Sequence, residues 1–165
     1  MNIRRATVLD VPPLVWMWVA MCKEVNGKEP EPYHAAKYFS AMTCRLFNAE
    51  LAERNMAALA INEETGLVIG CVVAQEADDA REKVFFGNLY VLPSNRGAGV
   101  AKALVKAVLE WGRSRGANVC EMMVKPDLVK FYERIGFQHE LTQMSATIDV
   151  ALGRVNSVGE GGECV

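Results

Sequence analysis

The 165-residue sequence lacks several features that would assign it to a functional class at once. It contains no CxxC pair and only two histidines, His34 and His139, neither of which has a partner at metal-ligand spacing. We therefore expect no bound metal. Neither sign of charge is in large excess, since the sequence has 18 Lys plus Arg and 20 Asp plus Glu. The resulting net charge of −2 gives no general attraction for nucleic acid or for an anionic membrane, and we predict neither as a partner.

Long hydrophobic runs are absent as well, because no stretch approaches the roughly 18 apolar residues of a membrane span. Residues 11–22, VPPLVWMWVAMC, loosely resemble a signal peptide, but Asp10 and two prolines interrupt the run and no small-residue cleavage site follows. The five cysteines are odd in number, and four of them lie in apolar segments, where a free thiol behaves as a small hydrophobe. The sequence thus predicts a reducing, cytoplasmic location.

The pattern of apolar residues, which make up 51% of the chain, predicts one α/β domain with a mixed, mostly antiparallel sheet. The predicted order is βααβββαβαβ. The first helix is apolar on nearly every side, so we expect it to be covered all round or to form an interface, which makes a homodimer possible. We predict helices over 11–25, 33–53, 100–113 and 127–135, and strands over 1–9, 56–62, 67–75, 83–92, 118–124 and 137–148.

The segment RGAGVA, residues 96–101, stands between the predicted strand 83–92 and a long helical pattern. A helix N-terminus carries unpaired N–H groups and a partial positive charge, and small side chains leave those groups open to a phosphate. A tight turn without a ligand explains the glycines equally well. The spacing excludes two familiar nucleotide motifs, because Lys102 stands where a GxGxxG pattern needs glycine and no Gly-Lys-Ser/Thr occurs.

A second motif, FYERIGF at residues 131–137, narrows the choice. Together with Arg96-x-x-Gly99-x-Ala101 and the opening IRRATVLDVPPL, it resembles the GNAT superfamily of acyl-CoA-dependent N-acetyltransferases over residues 2 to about 148. The resemblance implies a sheet of six to seven strands, flanked by about four helices and containing a splayed strand pair. It also implies a single N-acetyltransferase domain over residues 1–149. The tail over 150–165 has little apolar surface to bury, and we expect it to be mobile.

The resemblance further implies transfer of an acetyl group from acetyl-CoA, as co-substrate, to a primary amine of a small molecule or a protein. Tyr132 matches the tyrosine that donates a proton to the departing thiolate. The strand end would hold the pantetheine arm through backbone groups, and the loop would hold the pyrophosphate. The implied cofactor-binding residues are Leu89, Tyr90, Val91, Arg96, Gly97, Ala98, Gly99, Val100, Ala101 and Lys102.

The general base and the acceptor stay open at this stage. Lys125 stands where many members have Asn, Asn88 cannot act as a base, and Glu121 lies one residue away from the expected position, so a water relay is an alternative. The loop near His34 is crowded by acidic residues, which either form a solvated surface or attract a cationic amine. The same fold could instead bind acyl-CoA without catalysis, or serve as a dimerising scaffold.

Overall fold

A five-stranded sheet organises the residues that the computed structural model describes, which are 1–77 and 82–139. The strands lie side by side in chain order, and all neighbours are antiparallel except the last pair, which is parallel. Their bounds are β1 Asn2–Arg5, β2 Asn55–Ile61, β3 Val68–Glu76, β4 Lys83–Val91 and β5 Val119–Glu121.

Five α-helices accompany the sheet in the described ranges: α1 Val11–Asn26, α2 Pro32–Phe47, α3 Ala49–Arg54, α4 Val100–Ser114 and α5 Val129–Glu133. The chain divides into two compact units, Met1–Met122 with the whole sheet and α1 to α4, and a second that begins at Met123 and contains α5. None of the described helices is both long and apolar enough to cross a membrane.

The prediction of the fold class is confirmed as a mixed, mostly antiparallel α+β architecture, but its strand count is not matched. The described residues form five strands instead of six to seven, and five helices instead of about four. Most of the predicted last strand, from residue 140 onward, and the predicted tail over 150–165 lie outside the described residues.

Both faces of the central strands are buried, because helices cover the sheet on each side. In β2 and β3, Leu59 and Val73 face the core formed with Leu14 and Met17 of α1 and Met42 of α2. The alternate side chains face α4, whose buried positions are Leu104, Val105 and Val108. This coverage explains why these strands read as nearly continuous apolar runs and not as alternating ones.

Two predicted elements are shorter than the sequence indicates. The predicted helix 33–53 is broken at Asn48, which adopts extended backbone (φ −73°, ψ 121°) and starts α3 by accepting a hydrogen bond from Leu51 N at 3.1 Å. The periodic apolar pattern continues across this break, so it hides the new helix start. The predicted buried strand 118–124 is reduced to β5, and Met123 beyond it is 66% exposed.

One of the two alternatives predicted for the first helix is not met, because its apolar surface is not covered all round in this chain, where Trp16 is 56% exposed. The other alternative, an interface, stays a prediction. Asp10 stands at the N-cap position of α1, but its side chain accepts no hydrogen bond from the helix; it accepts from Thr7 N at 2.8 Å and from both terminal nitrogens of Arg4 at 2.8 and 2.7 Å. The carboxylate thus ties β1 to the turn before α1.

Candidate active site

A bulge interrupts β4 near the middle of the sheet. Cys71 of β3 pairs with Tyr90 and Val73 pairs with Gly87, so two residues of β4 stand opposite one residue of β3. One of these two is Asn88, the only non-glycine residue with positive φ (51°) in the described chain. A left-handed residue inside a strand redirects the backbone locally, and asparagine tolerates this conformation better than most residues.

Beyond the bulge, β4 is open on the edge that faces away from β3. β5 pairs with β4 at only three positions, from Lys83↔Val119 to Phe85↔Glu121. In the described chain, the rest of β4 has no strand partner on that edge. The backbone of Leu89 to Val91 therefore borders a gap in the sheet, at the place where the resemblance to the GNAT superfamily implies the pantetheine arm.

The glycine loop follows β4 directly. A single 3₁₀ turn, Pro93–Asn95, leads into Arg96, and α4 begins at Val100 after Gly97 and Gly99, each at φ 79°. A Cβ atom at either glycine would meet nothing within 4 Å, so the left-handed backbone and not crowding calls for glycine here. The loop residues Gly97, Ala98 and Gly99 are all exposed.

This loop presents a row of backbone donors. Within the described ranges, no backbone hydrogen bond uses the N–H groups of the six residues from Gly97 to Lys102, and the first one returning from the helix is Ala103 N to Gly99 O at 3.0 Å. Six consecutive donors at the positive end of a 15-residue helix are chemically suited to bind an anion. Val100 is buried and Lys102 is exposed, so this row is anchored on one side and has a cationic side chain on the other.

Arg96, one of the implied cofactor-binding residues, is held by contacts within the protein. Its Nη2 donates to Glu24 Oε2 of α1 at 2.7 Å, and its Nε donates to the carbonyl of Val91 at 3.0 Å. The guanidinium carbon also lies 5.7 Å from the ring centroid of Tyr90. These contacts join the start of the loop to the end of β4 and to the last turns of α1.

A pocket of about 550 Å³ opens between α1 and α2. One wall is aromatic, because the rings of Trp18 and Tyr38 stack with centroids 4.6 Å apart and an angle of 7°. The wall touches the bulge of β4, since Asn88 Nδ2 donates to Tyr38 Oη at 3.2 Å. The lining residues are Trp18, Cys22, Asn26, Lys28, Glu29, Pro30, Glu31, His34, Lys37, Tyr38 and Ala41.

The pocket carries charges of both signs. Lys28 and Lys37 stand against Glu29 and Glu31, and Glu29 is paired with Lys23 at 2.9 Å. His34, which the sequence placed near an acceptor loop, lies in the lining. The acidic loop is therefore part of a concave surface, and its carboxylates are partly balanced by lysines.

The residues considered for proton transfer lie in different surroundings. Glu121 is half exposed and accepts from Lys83 Nζ at 2.8 Å, so its carboxylate is engaged in an ion pair. Tyr132 lies in the unit that begins at Met123, with Phe131 and Phe137 edge-on at 4.9 and 5.8 Å. Burial raises the pKa of Tyr132 to about 12, so the phenol stays protonated at neutral pH.

Three residues in this region make contacts that the sequence does not predict. Glu24 binds Arg96, Tyr38 accepts from Asn88, and Asn88 itself lies in the bulge. No local signal reveals either contact, because the partners lie 72 and 50 residues away. The position of Asn88 did carry a signal, since a Gly-Asn pair inside an apolar strand indicates a bulge.

Comparisons with known proteins agree on the family of this chain. A probable N-acetyltransferase family 8 member 5 from Mus musculus is 33% identical over 84 residues, which cover 47% of this chain and 37% of the mouse protein. An aminoglycoside N(6')-acetyltransferase type 1 from Salmonella typhimurium is 35% identical over 63 residues, covering 36% of this chain and 43% of that enzyme. The chain thus spans less than half the length of these curated relatives in the matched segments.

A predicted acetyltransferase from Clostridium acetobutylicum, solved with acetyl-CoA, has the same fold, with a TM-score of 0.74 at 18% identity over 90% of this chain and 97% of that one. The model of the acetyltransferase (GNAT) family matches residues 18–137, which is well over half of the sequence. The chain therefore belongs to the GNAT family of acetyltransferases.

Proposed function

We propose that this protein transfers an acetyl group from acetyl-CoA to a primary amine of a small molecule or a protein. The observation that carries the proposal is the row of six unbonded N–H groups from Gly97 to Lys102, at the start of α4 and next to the bulged strand β4. Membership of an acetyltransferase family supports the same reading of the loop.

The cofactor would lie along the open edge of β4 and end in the glycine loop. The pyrophosphate carries the charge that the N–H row and the helix dipole favour, with Lys102 as an exposed cation beside it. The backbone of Leu89, Tyr90 and Val91 would hold the pantetheine arm. The carbonyl of Val91 already accepts from Arg96, so we assign the contacts of this residue to its N–H group or to the second lone pair of the oxygen.

The acceptor would enter by the pocket between α1 and α2. Tyr38 lines the pocket and accepts from Asn88, so the wall of the pocket lies against the bulge where the thioester would lie. Glu29 and Glu31 in the lining would attract a cationic amine, although Lys28 and Lys37 partly balance their charge. The Salmonella relative is named for aminoglycosides, which makes polycationic amines a first group to test.

The reaction needs the amine in its neutral form. Its nitrogen attacks the thioester carbonyl, backbone donors of the bulged strand stabilise the oxyanion, and the C–S bond breaks as the carbonyl re-forms. We assign the transfer of a proton to the leaving thiolate to Tyr132. Because a phenol of pKa about 12 is a weaker acid than a thiol of about 8.5, this transfer must accompany cleavage of the C–S bond.

The proton on the amine needs a separate acceptor. Glu121 would first have to leave Lys83, and for this reason we favour water in the pocket over Glu121 as the first acceptor. Holding both substrates in place would supply much of the rate.

Isothermal calorimetry with acetyl-CoA tests the cofactor part of the proposal. Binding should be micromolar for acetyl-CoA and similar for desulfo-CoA. It should weaken at least about 100-fold for S-acetyl-pantetheine, which lacks the pyrophosphate and therefore the charge-assisted hydrogen bonds to the loop. No binding by folded protein would overturn the proposal.

A panel of aminoglycosides, polyamines, amino acids and peptides, read by release of free thiol, tests the transfer itself. Thiol release that depends on the added amine is the expected result. Tight binding of acetyl-CoA without thiol release over the whole panel would favour a non-catalytic acyl-CoA-binding module instead.

A further inference from the structure

One carboxylate oxygen joins three parts of the first unit. Glu24 Oε2 accepts from Arg96 Nη2 at 2.7 Å and from Tyr90 Oη at 3.3 Å, so α1, β4 and the glycine loop meet at this atom. An exposed ion pair by itself contributes little to stability, and the Glu24 and Arg96 side chains are 45% and 46% exposed. Here, however, the guanidinium is fixed on three sides, by Glu24, by the carbonyl of Val91 and by the face of Tyr90.

The glycine loop has little else to hold its shape. Its two glycines adopt left-handed backbone with open space around them, and its residues are exposed. Glycine also has the largest conformational freedom to lose on ordering. The loop is therefore held at its ends, by the buried Val100 on one side and by Arg96 on the other.

We propose that Glu24 is a positioning residue for the cofactor: by holding Arg96 against Val91 and Tyr90, it keeps the N–H groups of the loop converged before the pyrophosphate arrives. The inference rests on the proposed function, because it takes the loop as the pyrophosphate site. It concerns a side chain on a different helix, 72 residues away from Arg96 in sequence, which contacts the start of the loop through Arg96.

The sign of the effect separates this proposal from the obvious alternative. If Glu24 merely competed with the pyrophosphate for Arg96, its removal would free a cation and strengthen binding. If Glu24 orders the loop, its removal leaves the loop less ordered before CoA binds. The cost of ordering the loop then reduces the binding free energy, and the affinity falls. A carboxylate near an anion site would ordinarily repel the anion, so simple electrostatics predicts tighter binding after its removal. A loss of affinity would therefore favour the ordering role.

The test uses Glu24→Gln, which keeps the size and removes the charge. We expect desulfo-CoA to bind about 3- to 10-fold more weakly by calorimetry, the size of a modest loss of preorganisation. The matched control is Glu53→Gln, which makes the same change on α3, next to the end of β2 that lies far from the loop. It should bind like the wild type.

A double-mutant cycle shows whether Glu24 acts through Arg96. In an Arg96→Gln background, Glu24→Gln should cause no further loss of affinity, whereas independent roles would give additive losses. Amide hydrogen exchange in the ligand-free protein adds a second readout. The N–H groups of Asn95 and Ala103, whose hydrogen bonds to Leu92 and Gly99 flank the loop, should exchange faster in Glu24→Gln while those of β2 and β3 keep the wild-type rates, because a general loss of stability would speed both.

Unchanged or tighter binding by Glu24→Gln, additive losses in the cycle, or exchange that rises everywhere would each overturn the inference. These outcomes are distinct from failure of the proposed function. A wild type that binds no CoA would overturn both, whereas a wild type that binds normally beside an unaltered Glu24→Gln would overturn this inference alone.

Discussion

Asn88 Nδ2 donates a hydrogen bond to Tyr38 Oη over 3.2 Å, which ties the bulge of β4 to α2 at the wall of the pocket. The Tyr38 ring is stacked on Trp18, and burial raises the pKa of its hydroxyl well above the usual range. The group is thus a neutral hydrogen-bonding partner at every working pH. One hydrogen bond between two side chains therefore links the bulge of β4 to the wall of the pocket.

Removing this hydroxyl should loosen the bulge. Tyr38→Phe keeps the stacked ring and leaves the Asn88 amide without its partner, so we expect the free energy of unfolding to fall by about 1 kcal/mol. Urea denaturation measures it. Tyr33→Phe removes the same atom from a side chain that is 70% exposed, and it should unfold like the wild type. Equal stability of both variants would mean that the hydrogen bond does not hold the bulge.

The backbone of Asn88 makes a separate prediction. At φ 51°, a β-branched side chain clashes with the following carbonyl, whereas glycine does not. We expect Asn88→Val to be less stable than Asn88→Gly by about 1–2 kcal/mol, although both lose the bond to Tyr38. Thermal and urea unfolding of the pair test this. Equal stabilities would indicate that β4 lacks the left-handed residue in solution.

Replacement of Tyr132 by Phe tests its assignment as the acid. The ring contacts with Phe131 and Phe137 stay possible, so the change removes the hydroxyl and keeps the ring. We expect kcat to fall about 100-fold with any amine of the panel that gives thiol release, a typical size for loss of a general acid. The Kd for acetyl-CoA should stay within about twofold of the wild-type value, because the phenol acts on the leaving group. Unchanged turnover would remove Tyr132 from the acid role.

The order of elements was predictable from the sequence, because each long helix and each central strand has its own apolar pattern. α4 is an example, since its buried positions recur at helical spacing and its start is marked by glycines. The glycine loop could be located in the same way. The break at Asn48 could not, because the apolar spacing runs across it and only the N-cap preference of asparagine marks it.

The contacts that shape the site could not be predicted from the sequence. Glu24 and Arg96 meet only because α1 crosses the end of β4, and neither residue stands in a local pattern that names its partner. The burial of an apolar run could not be predicted either. The run NVCEMMV fits a buried strand as well as an edge strand, and Met123 within it is exposed. Local periodicity fixes elements, whereas charge pairs across elements depend on packing.

Gly112 gives a prediction about the packing of α4 on the sheet. In an exposed helix, Gly→Ala stabilises by roughly 1 kcal/mol, but here a Cβ atom would lie 2.9 Å from Val84 Cγ2. Overpacking of this kind costs about 1–3 kcal/mol, so Gly112→Ala should be less stable than the wild type. Adding Val84→Ala makes room, and the double variant should lose less than the sum of the two single losses. Additive losses would contradict the contact.

The last prediction concerns acid unfolding and the contact between β1 and the turn before α1. The Arg4 guanidinium and the Thr7 donors lower the pKa of Asp10 from 3.8 to about 2. Because the folded-state pKa is depressed, the stabilisation is present above pH about 4 and is lost as the pH falls towards 2, with a size of roughly 2 kcal/mol. Asp10→Asn should thus be less stable at pH 7 and should approach the wild type near pH 2.

Urea denaturation at several pH values between about 7 and 2 measures the two curves. Arg4→Gln is the partial control, because it removes the first cause of the shift and leaves the Thr7 hydrogen bonds at 2.8 and 3.0 Å. Its pH dependence should lie between those of Asp10→Asn and the wild type. If the wild type and Asp10→Asn kept a constant difference down to pH 2, the carboxylate would titrate normally in the folded protein, and the contact with Arg4 would contribute nothing to stability.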